Sequence, residues 1–330
     1  MRQAGGSGIA PDWAMPETAE LLPRGRLWTQ LLLYPGHTLP TAAAPVLVGV
    51  GLAWRDGVFA PWPALLFLLS SWLLHVAGVF ADNYTLIQRY PTLPEHPELL
   101  AALAQRTLAL STLATAIGLC LALSVAIGLV LLVQCGPWVL AMGLIGLLAS
   151  LGYHWGPWPY ANRGLADPVF LLMFGVVAVV ATYFVQAAAL MPAGPWLQRA
   201  AAMPPAVWLI GLPVGALVTS VLVIDDIRDR HWDAQKGWRT GAVRWGLRWS
   251  RTEFVALVVS AYLAPLAMVA LGWGAWMLLP LLTAPLAWQA LRAVRRFDDT
   301  QALLPWTPKV ARLGLVYAAL QAVALALPKG

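Results

Sequence analysis

The densest chemistry in this 330-residue sequence is a run of charged side chains between residues 225 and 244. Four of the 15 acidic residues lie close together there, at Asp225, Asp226, Asp229 and Asp233. A spacing of four predicts that Asp225, Asp229 and Asp233 share one face of a helix, provided that the helix continues through them. Like charges at that spacing weaken a helix, so a cation is expected to compensate them. Magnesium suits the pattern because it takes carboxylate oxygens and shares its other sites with substrate phosphates.

Basic side chains are interspersed with these aspartates and follow them, at Arg228, Lys236, Arg239 and Arg244. Ammonium and fork-shaped guanidinium groups match phosphate oxygens. An acidic ladder followed by bases therefore predicts a site for a magnesium-bound diphosphate. The alternative is that these bases only follow a membrane charge bias and pair with the nearby aspartates.

The rest of the chain has the composition of a membrane protein, with 60% hydrophobic and 11% charged residues. A helix needs about 20 apolar residues to cross a bilayer. Continuous apolar runs exclude the alternation of a β-barrel. The sequence thus predicts an all-α polytopic membrane bundle of about nine transmembrane helices, at residues 36–54, 61–81, 108–133, 137–153, 168–190, 205–224, 254–272, 274–291 and 311–328.

Basic residues fall on alternate loops of that arrangement, as expected when they mark the cytoplasmic side. Only Arg55, Arg199 and Lys329, of the 21 Lys and Arg residues, fall on the other side. The bias predicts a cytoplasmic N-terminus and a multi-pass protein of the cell inner (cytoplasmic) membrane. It also explains the net charge of +6 by attraction to the lipid bilayer, without nucleic acid as a partner. Residues 1–26 are expected to be a flexible cytoplasmic arm, and residues 27–330 a single transmembrane domain.

The stretch 225–246, DDIRDRHWDAQKGWRTGAVRWG, resembles the second aspartate motif of the UbiA superfamily of intramembrane prenyltransferases. Asp229 and Asp233 match the metal-binding aspartates of that motif. The stretches 152–157 and 174–186 are similar to the branch that prenylates 1,4-dihydroxy-2-naphthoate in menaquinone biosynthesis. The resemblance implies Mg²⁺ as cofactor, a polyprenyl diphosphate as donor and an aromatic quinone precursor as acceptor.

The first aspartate motif departs from the family pattern. The family reads approximately Asn-Asp-Tyr-x-Asp, whereas this chain has Asp82, Asn83, Tyr84, Thr85 and Leu86 in order. The second carboxylate position is therefore occupied by Leu86. In the second motif, Gly241 stands where the family usually has Leu.

The resemblance implies a role for each matching residue. Asp82, Asp229 and Asp233 are expected to be catalytic. The expected metal ligands are Asp82, Asn83, Asp229 and Asp233, together with Asp225 and Asp226, which stand where the family prefers Asn and are expected from their charge alone. The diphosphate is expected to bind Arg228, Lys236, Arg239 and Arg244, and the acceptor pocket to contain Tyr153, His154 and Trp158.

Other functions stay open at this point. The degenerate first motif is compatible with a divergent relative that uses another acceptor, cyclises its substrate or only binds isoprenoid diphosphates. A transporter fits less well, because transporters usually place charge near the membrane midplane and show related halves. Here the acidic residues lie at helix ends on one face.

Overall fold

Backbone polar groups in a bilayer have to be satisfied within helices or closed sheets. The computed structural model describes residues 24–90, 109–153, 155–191, 203–297 and 300–328. Within these ranges the regular structure is helical and no strand occurs. The prediction of an all-α architecture is therefore confirmed.

Eleven helices in chain order form this part of the molecule, several of them preceded by a short 3₁₀ turn. A π-helical turn at Met173–Val177 interrupts the fifth. The helices are α1 Arg24–Arg55, α2 Pro61–Arg89, α3 Leu110–Cys135, α4 Trp138–Leu151, α5 Ala166–Leu190, α6 Leu212–Gln235, α7 Gly241–Arg244, α8 Leu247–Ala270, α9 Ala284–Arg296, α10 Thr300–Leu303 and α11 Trp306–Ala326.

Seven helices in the described residues are long and apolar enough to cross a membrane: α2, α3, α5, α6, α8, α9 and α11, where α6 and α9 include their preceding turns. The predicted segment 36–54 lies inside α1. The predicted segment 137–153 corresponds to α4, which has 14 residues. At 1.5 Å per residue, α4 is about 21 Å long, shorter than a hydrocarbon core of about 30 Å. The multi-pass architecture is confirmed, whereas the count of nine spans stays a prediction.

The predicted arm, residues 1–26, lies outside the described residues except at its end, where α1 begins at Arg24. One hydrophobic core draws side chains from α1, α5, α6, α8, α9 and α11, and a separate cluster packs α2, α3 and α4 against α5. The division into an arm and a domain at residue 26 stays a prediction.

Helix α6 lies at the centre of the bundle. In its apolar window 83% of the residues are buried, compared with 11% in α3. Helix α6 packs against α8 and α11, and α1 packs along α11 and α5, whereas α3 packs on α2 at the periphery. The outer face of α3 exposes large apolar side chains such as Leu119, Leu123 and Leu129, as expected for a surface in lipid.

Close contact between α5 and α6 depends on three glycines. Gly175 lies in the π turn of α5, and Gly211 and Gly215 lie at the start of α6. A Cβ atom at Gly215 would lie 2.4 Å from the Cα atom of Gly175, and a Cβ atom at Gly211 would lie 2.4 Å from the carbonyl oxygen of Gly175. Small residues of this kind let helix backbones approach closely in a membrane. The contact fixes the position of α6 beside α5.

We expect Gly215→Ala to lower the midpoint of thermal unfolding in detergent micelles, because the added methyl group forces α5 and α6 apart. Overpacking of this kind costs about 1–3 kcal/mol. Gly128→Ala in α3 is the matched control, since nothing lies within 4 Å of a Cβ atom at that position. Equal midpoints for the two variants would contradict the close contact.

Candidate active site

Connections from different parts of the chain meet at one end of the bundle. The indole Nε1 of Trp238, after α6, donates to the Tyr90 hydroxyl, at the end of α2, over 3.0 Å. The backbone N–H of Arg239 donates to the carbonyl of Asn162, between α4 and α5, over 3.0 Å. Thr307, at the start of α11, donates to the carboxylate of Asp225 in α6. These are loops that the charge bias assigns to the cytoplasm, and the side of the membrane on which they lie stays a prediction.

Helix α6 continues through the acidic run as far as Gln235, which meets the condition for the aspartate spacing to act as a helical one. Arg228 joins two of the aspartates. Its Nη1 lies 2.6 Å from Asp225 Oδ1, its Nη2 lies 2.5 Å from Asp229 Oδ2, and its Nε donates to Asp229 Oδ1 over 2.8 Å. Arg228 Nη1 also donates to the Thr307 hydroxyl. Arg228 is therefore paired with nearby aspartates, as the alternative interpretation of the basic residues expects.

A second ion pair closes the end of α6. Lys236 Nζ lies 3.1 Å from Asp233 Oδ1, and the Lys236 side chain is fully buried. The ammonium group also lies 3.7 Å from the centre of the Trp238 ring, a cation–π contact. Thr240 donates its hydroxyl to Asp233 Oδ2 over 3.3 Å. Asp233 thus has a cation on one oxygen and a hydroxyl on the other.

The four aspartates of α6 take their partners in two groups. A helix turns by about 100° per residue, so Asp233 lies about 20° from Asp226 but about 80° from Asp225. The contacts agree with this geometry. Asp226 is buried and accepts a hydrogen bond from the Gly241 backbone, close to the Thr240 contact of Asp233. Asp225 and Asp229 instead share Arg228.

The first motif lies in the last two turns of α2. Asn83 is buried, and its Nδ2 has no hydrogen-bond partner in the part of the chain that the structure describes. Leu86 is also buried, so the side chain that replaces the family carboxylate is used for packing. Asp82 is only partly buried, and its negative charge raises the pKa of Tyr153. The motif therefore contributes one carboxylate and one amide.

Tyr153 links the two motifs. Burial raises the pKa of Tyr153 well above its ordinary value, and the carboxylates of Asp226 and Asp82 raise it further. The Tyr153 ring centre lies 5.6 Å from that of Tyr160 and 5.5 Å from that of Phe170. Burial also raises the pKa of Tyr160. A wall of neutral aromatic rings therefore stands beside the carboxylates of both motifs.

The other predicted residues lie further out. Trp158 is 56% exposed, and the Arg163 guanidinium lies 4.7 Å from its ring centre. Arg239 and Arg244 are exposed, and Arg244 lies over the Trp245 ring at 5.2 Å. His154 lies outside the described residues. The structure thus brings Tyr153 to the carboxylates and leaves Trp158, Arg239 and Arg244 at the surface.

The donor set fits a metal that is shared with a substrate. Within the described ranges, no three carboxylate, imidazole or thiol side chains are arranged to hold a metal ion by themselves. Magnesium, however, is usually bound by one or two carboxylates together with substrate phosphates and water. The acidic residues of the second motif and Asp82, several of which act on Tyr153, offer carboxylates of that kind.

Several residues of this region were not predicted from the sequence. Tyr90, Trp238 and Thr307 are joined to the site by contacts between positions far apart in the chain, so no local pattern identifies them. Asp167 had a weak signal, because it is a lone acid at the start of an apolar segment. It is buried and faces Gly241.

Comparison with known proteins agrees with this arrangement. Residues 42–312 match the model of the UbiA prenyltransferase family. The chain is 29% identical to the 1,4-dihydroxy-2-naphthoate octaprenyltransferase of Escherichia coli (strain K12) over 310 residues, 91% of this chain and 94% of that protein. It is 31% identical to the enzyme of the same name from Mycobacterium tuberculosis (strain H37Rv) over 291 residues, 88% and 94% of the two chains.

Solved structures show the same fold. A UbiA homolog from Aeropyrum pernix K1 superposes with a TM-score of 0.63 at 16% identity, covering 88% of this chain and 96% of that one. A UbiA homolog from Archaeoglobus fulgidus superposes with a TM-score of 0.53 at 14% identity, covering 91% and 100%.

The fold and site are those of a multi-pass membrane enzyme in which two polar motifs meet at one end of an apolar helical bundle. The chain belongs to the UbiA prenyltransferase family, and it is a prenyltransferase.

We expect Lys236→Gln to lower the thermal unfolding midpoint strongly, because it leaves the buried carboxylate of Asp233 without its cation. Removing one partner of a buried ion pair costs about 3–5 kcal/mol. Lys309→Gln is the matched control, since Lys309 is exposed and likewise lies over an indole ring, that of Trp306. Variants with equal midpoints would show that the Lys236 pair contributes nothing to stability.

Proposed function

We propose that the protein transfers a polyprenyl group from a polyprenyl diphosphate to an aromatic quinone precursor of the 1,4-dihydroxy-2-naphthoate type, in a magnesium-dependent reaction of menaquinone biosynthesis. The observation that carries the proposal is the paired arrangement of Asp225, Asp229 and Asp233 with Arg228 and Lys236 at the end of α6. The relatives named as octaprenyltransferases support the donor and acceptor classes. The apolar helices and the charge bias support a location in the cytoplasmic membrane, with the site at the cytoplasmic face.

Both halves of a magnesium diphosphate have partners in this arrangement. Asp229 and Asp233, with Asp82 and Asn83 from the other motif, would hold the magnesium ion, and Asp225 and Asp226 add nearby negative charge. Magnesium bound there would neutralise charge on the diphosphate leaving group.

Arg228 and Lys236 would contact the diphosphate when their partners Asp229 and Asp233 bind the cation. Each is held beside the second motif by an ion pair. With a metal ion bound by Asp229 and Asp233, these side chains would donate hydrogen bonds to phosphate oxygens. Arg239 and Arg244 lie at the surface beside them and add positive charge for an approaching diphosphate. The departing diphosphate thereby meets donors already in place.

The aromatic wall, formed by Tyr153, Tyr160 and Phe170, would stabilise the allylic cation, which is the other product of bond cleavage. When the C1–oxygen bond of the donor breaks, positive charge develops on the allylic carbon. The rings of Tyr153, Tyr160 and Phe170 present electron-rich faces and exclude water from that carbon. An electron-rich ring carbon of the acceptor then forms the new carbon–carbon bond, and the ring regains its aromaticity by losing the group that this carbon carried, a proton or a carboxylate as CO2. Both phenols are neutral at physiological pH, because the ordinary tyrosine pKa of about 10 lies well above it and burial raises it further.

The test is transfer of a radiolabelled polyprenyl group to 1,4-dihydroxy-2-naphthoate or to 4-hydroxybenzoate, in membranes that contain the protein, with and without Mg²⁺. We expect a magnesium-dependent product with the naphthoate, and a loss of about 100-fold or more in Asp229→Asn, because charge stabilisation in the transition state is lost. Asp56→Asn is the matched control, since Asp56 follows α1 at an exposed position and pairs with Tyr183.

Product from 4-hydroxybenzoate alone would correct the acceptor and retain the reaction class. If no product forms while the labelled diphosphate still binds in an Asp229-dependent manner, the protein is a binding protein or catalyses another reaction. In that case the replacement of the first-motif carboxylate by Leu86 has removed transferase activity.

A further inference from the structure

A second group of carboxylates lies on the side of α6 that faces α5 and α8. Asp167 comes from the first turn of α5, Asp226 from α6 and Glu253 from α8. All three approach one point, the place where a side chain at Gly241 would begin. A Cβ atom at Gly241 would lie 3.3 Å from Asp167 Oδ2, 3.8 Å from Asp226 Oδ2 and 3.8 Å from Glu253 Oε2. The absence of a side chain at Gly241 leaves the space among these oxygens open.

Packing contacts do not explain why the Asp167 carboxylate is buried. It is only 6% exposed, and its Oδ1 has no hydrogen-bond partner within the described residues. Glu253 Oε2 is also buried without a partner in that part of the chain. A buried carboxylate oxygen without a partner is costly. A ligand that supplies positive charge would satisfy it.

The group is continuous with the site already described. Asp226 belongs to the acidic run of α6, and its charge, like that of Asp82, acts on Tyr153. Phe170, one turn after Asp167 in α5, packs against the Tyr153 ring. Asp167 therefore belongs to the wall that faces the first and second motifs, although neither motif contains it.

We propose that Asp167 is a further metal ligand of the transferase site, which acts with Asp226 across Gly241 to hold a magnesium ion that arrives with the diphosphate. The proposal rests on the proposed function. Two protein carboxylates suffice for such an ion because phosphate oxygens and water complete its octahedral shell. In this chain Asp82 is the one carboxylate of the first motif, so Asp167 restores charge that Leu86 does not provide.

A simpler role for Asp167 is electrostatic stabilisation of α5, since an acidic residue in the first turn of a helix is favourable. That role predicts a change in stability and no change in metal binding. The experiment therefore measures metal binding directly. Manganese is the probe, and its binding to detergent-solubilised full-length protein is followed by electron paramagnetic resonance with inorganic diphosphate present.

We expect Asp167→Asn to weaken manganese binding in the presence of diphosphate by about 10–100-fold, the usual cost of disturbing a metal site. Gly241→Ala provides a second variant, because it keeps every charge and favours helix, yet places a methyl group 3.3 Å from Asp167 Oδ2. It should weaken binding in the same direction. Asp56→Asn, at the other end of the bundle, should bind as the unaltered protein does.

Wild-type affinity in both Asp167→Asn and Gly241→Ala would overturn the proposal and leave Asp167 with a structural role. Manganese binding is also measured in Asp229→Asn, so that failure of this proposal can be distinguished from failure of the proposed function. Binding that is lost in Asp229→Asn but kept in the other two variants retains the proposed site and rejects Asp167. Binding that depends on Asp167 but not on Asp229 retains the inference and rejects the ligand set assigned to the second motif.

Discussion

Neutralising four carboxylates at the end of the most buried helix is the constraint on which the site depends. Helix α6 runs through the centre of the bundle and ends in Asp225, Asp226, Asp229 and Asp233, so water compensates these charges only in part. Arg228 compensates two of these aspartates and Lys236 a third, whereas the fourth, Asp226, accepts a hydrogen bond from the Gly241 backbone. Buried charges are tolerated only with such partners. The loops that meet here are positioned largely by these contacts.

The same partners explain how one cluster can serve both structure and chemistry. Ion pairs between the acidic and basic residues hold the end of α6 in shape. On the proposed function, a magnesium diphosphate would present the same two kinds of charge, a cation to the aspartates and an anion to the bases, so its binding would exchange partners without leaving a charge unpaired. The close α5–α6 contact at Gly175 and Gly215 and the aromatic wall around Tyr153 then define the apolar side of the site.

Much of this could be predicted from local patterns. The apolar runs identified the helical membrane architecture, and the spacing of Asp225, Asp229 and Asp233 indicated what these residues would share if the helix continued beyond its apolar part. Pairing choices could not be predicted, because Arg228 lies within three residues of Asp225, Asp226 and Asp229 and also contacts Thr307 in α11, far away in the sequence. Asp167 was not predicted, because its position beside Gly241 follows only from the packing of α5, α6 and α8. Helix α4 shows a similar limit, since its apolar segment is longer than the helix that forms.

Exchange of ion-pair partners on substrate binding is the central claim, and the most direct measurement is an experimental structure with manganese and inorganic diphosphate bound. The account predicts a manganese ion coordinated by oxygens of Asp229 and Asp233, with Arg228 turned from Asp229 towards a phosphate oxygen. Diphosphate bound elsewhere, with the Arg228–Asp225 and Arg228–Asp229 pairs unchanged, would contradict it.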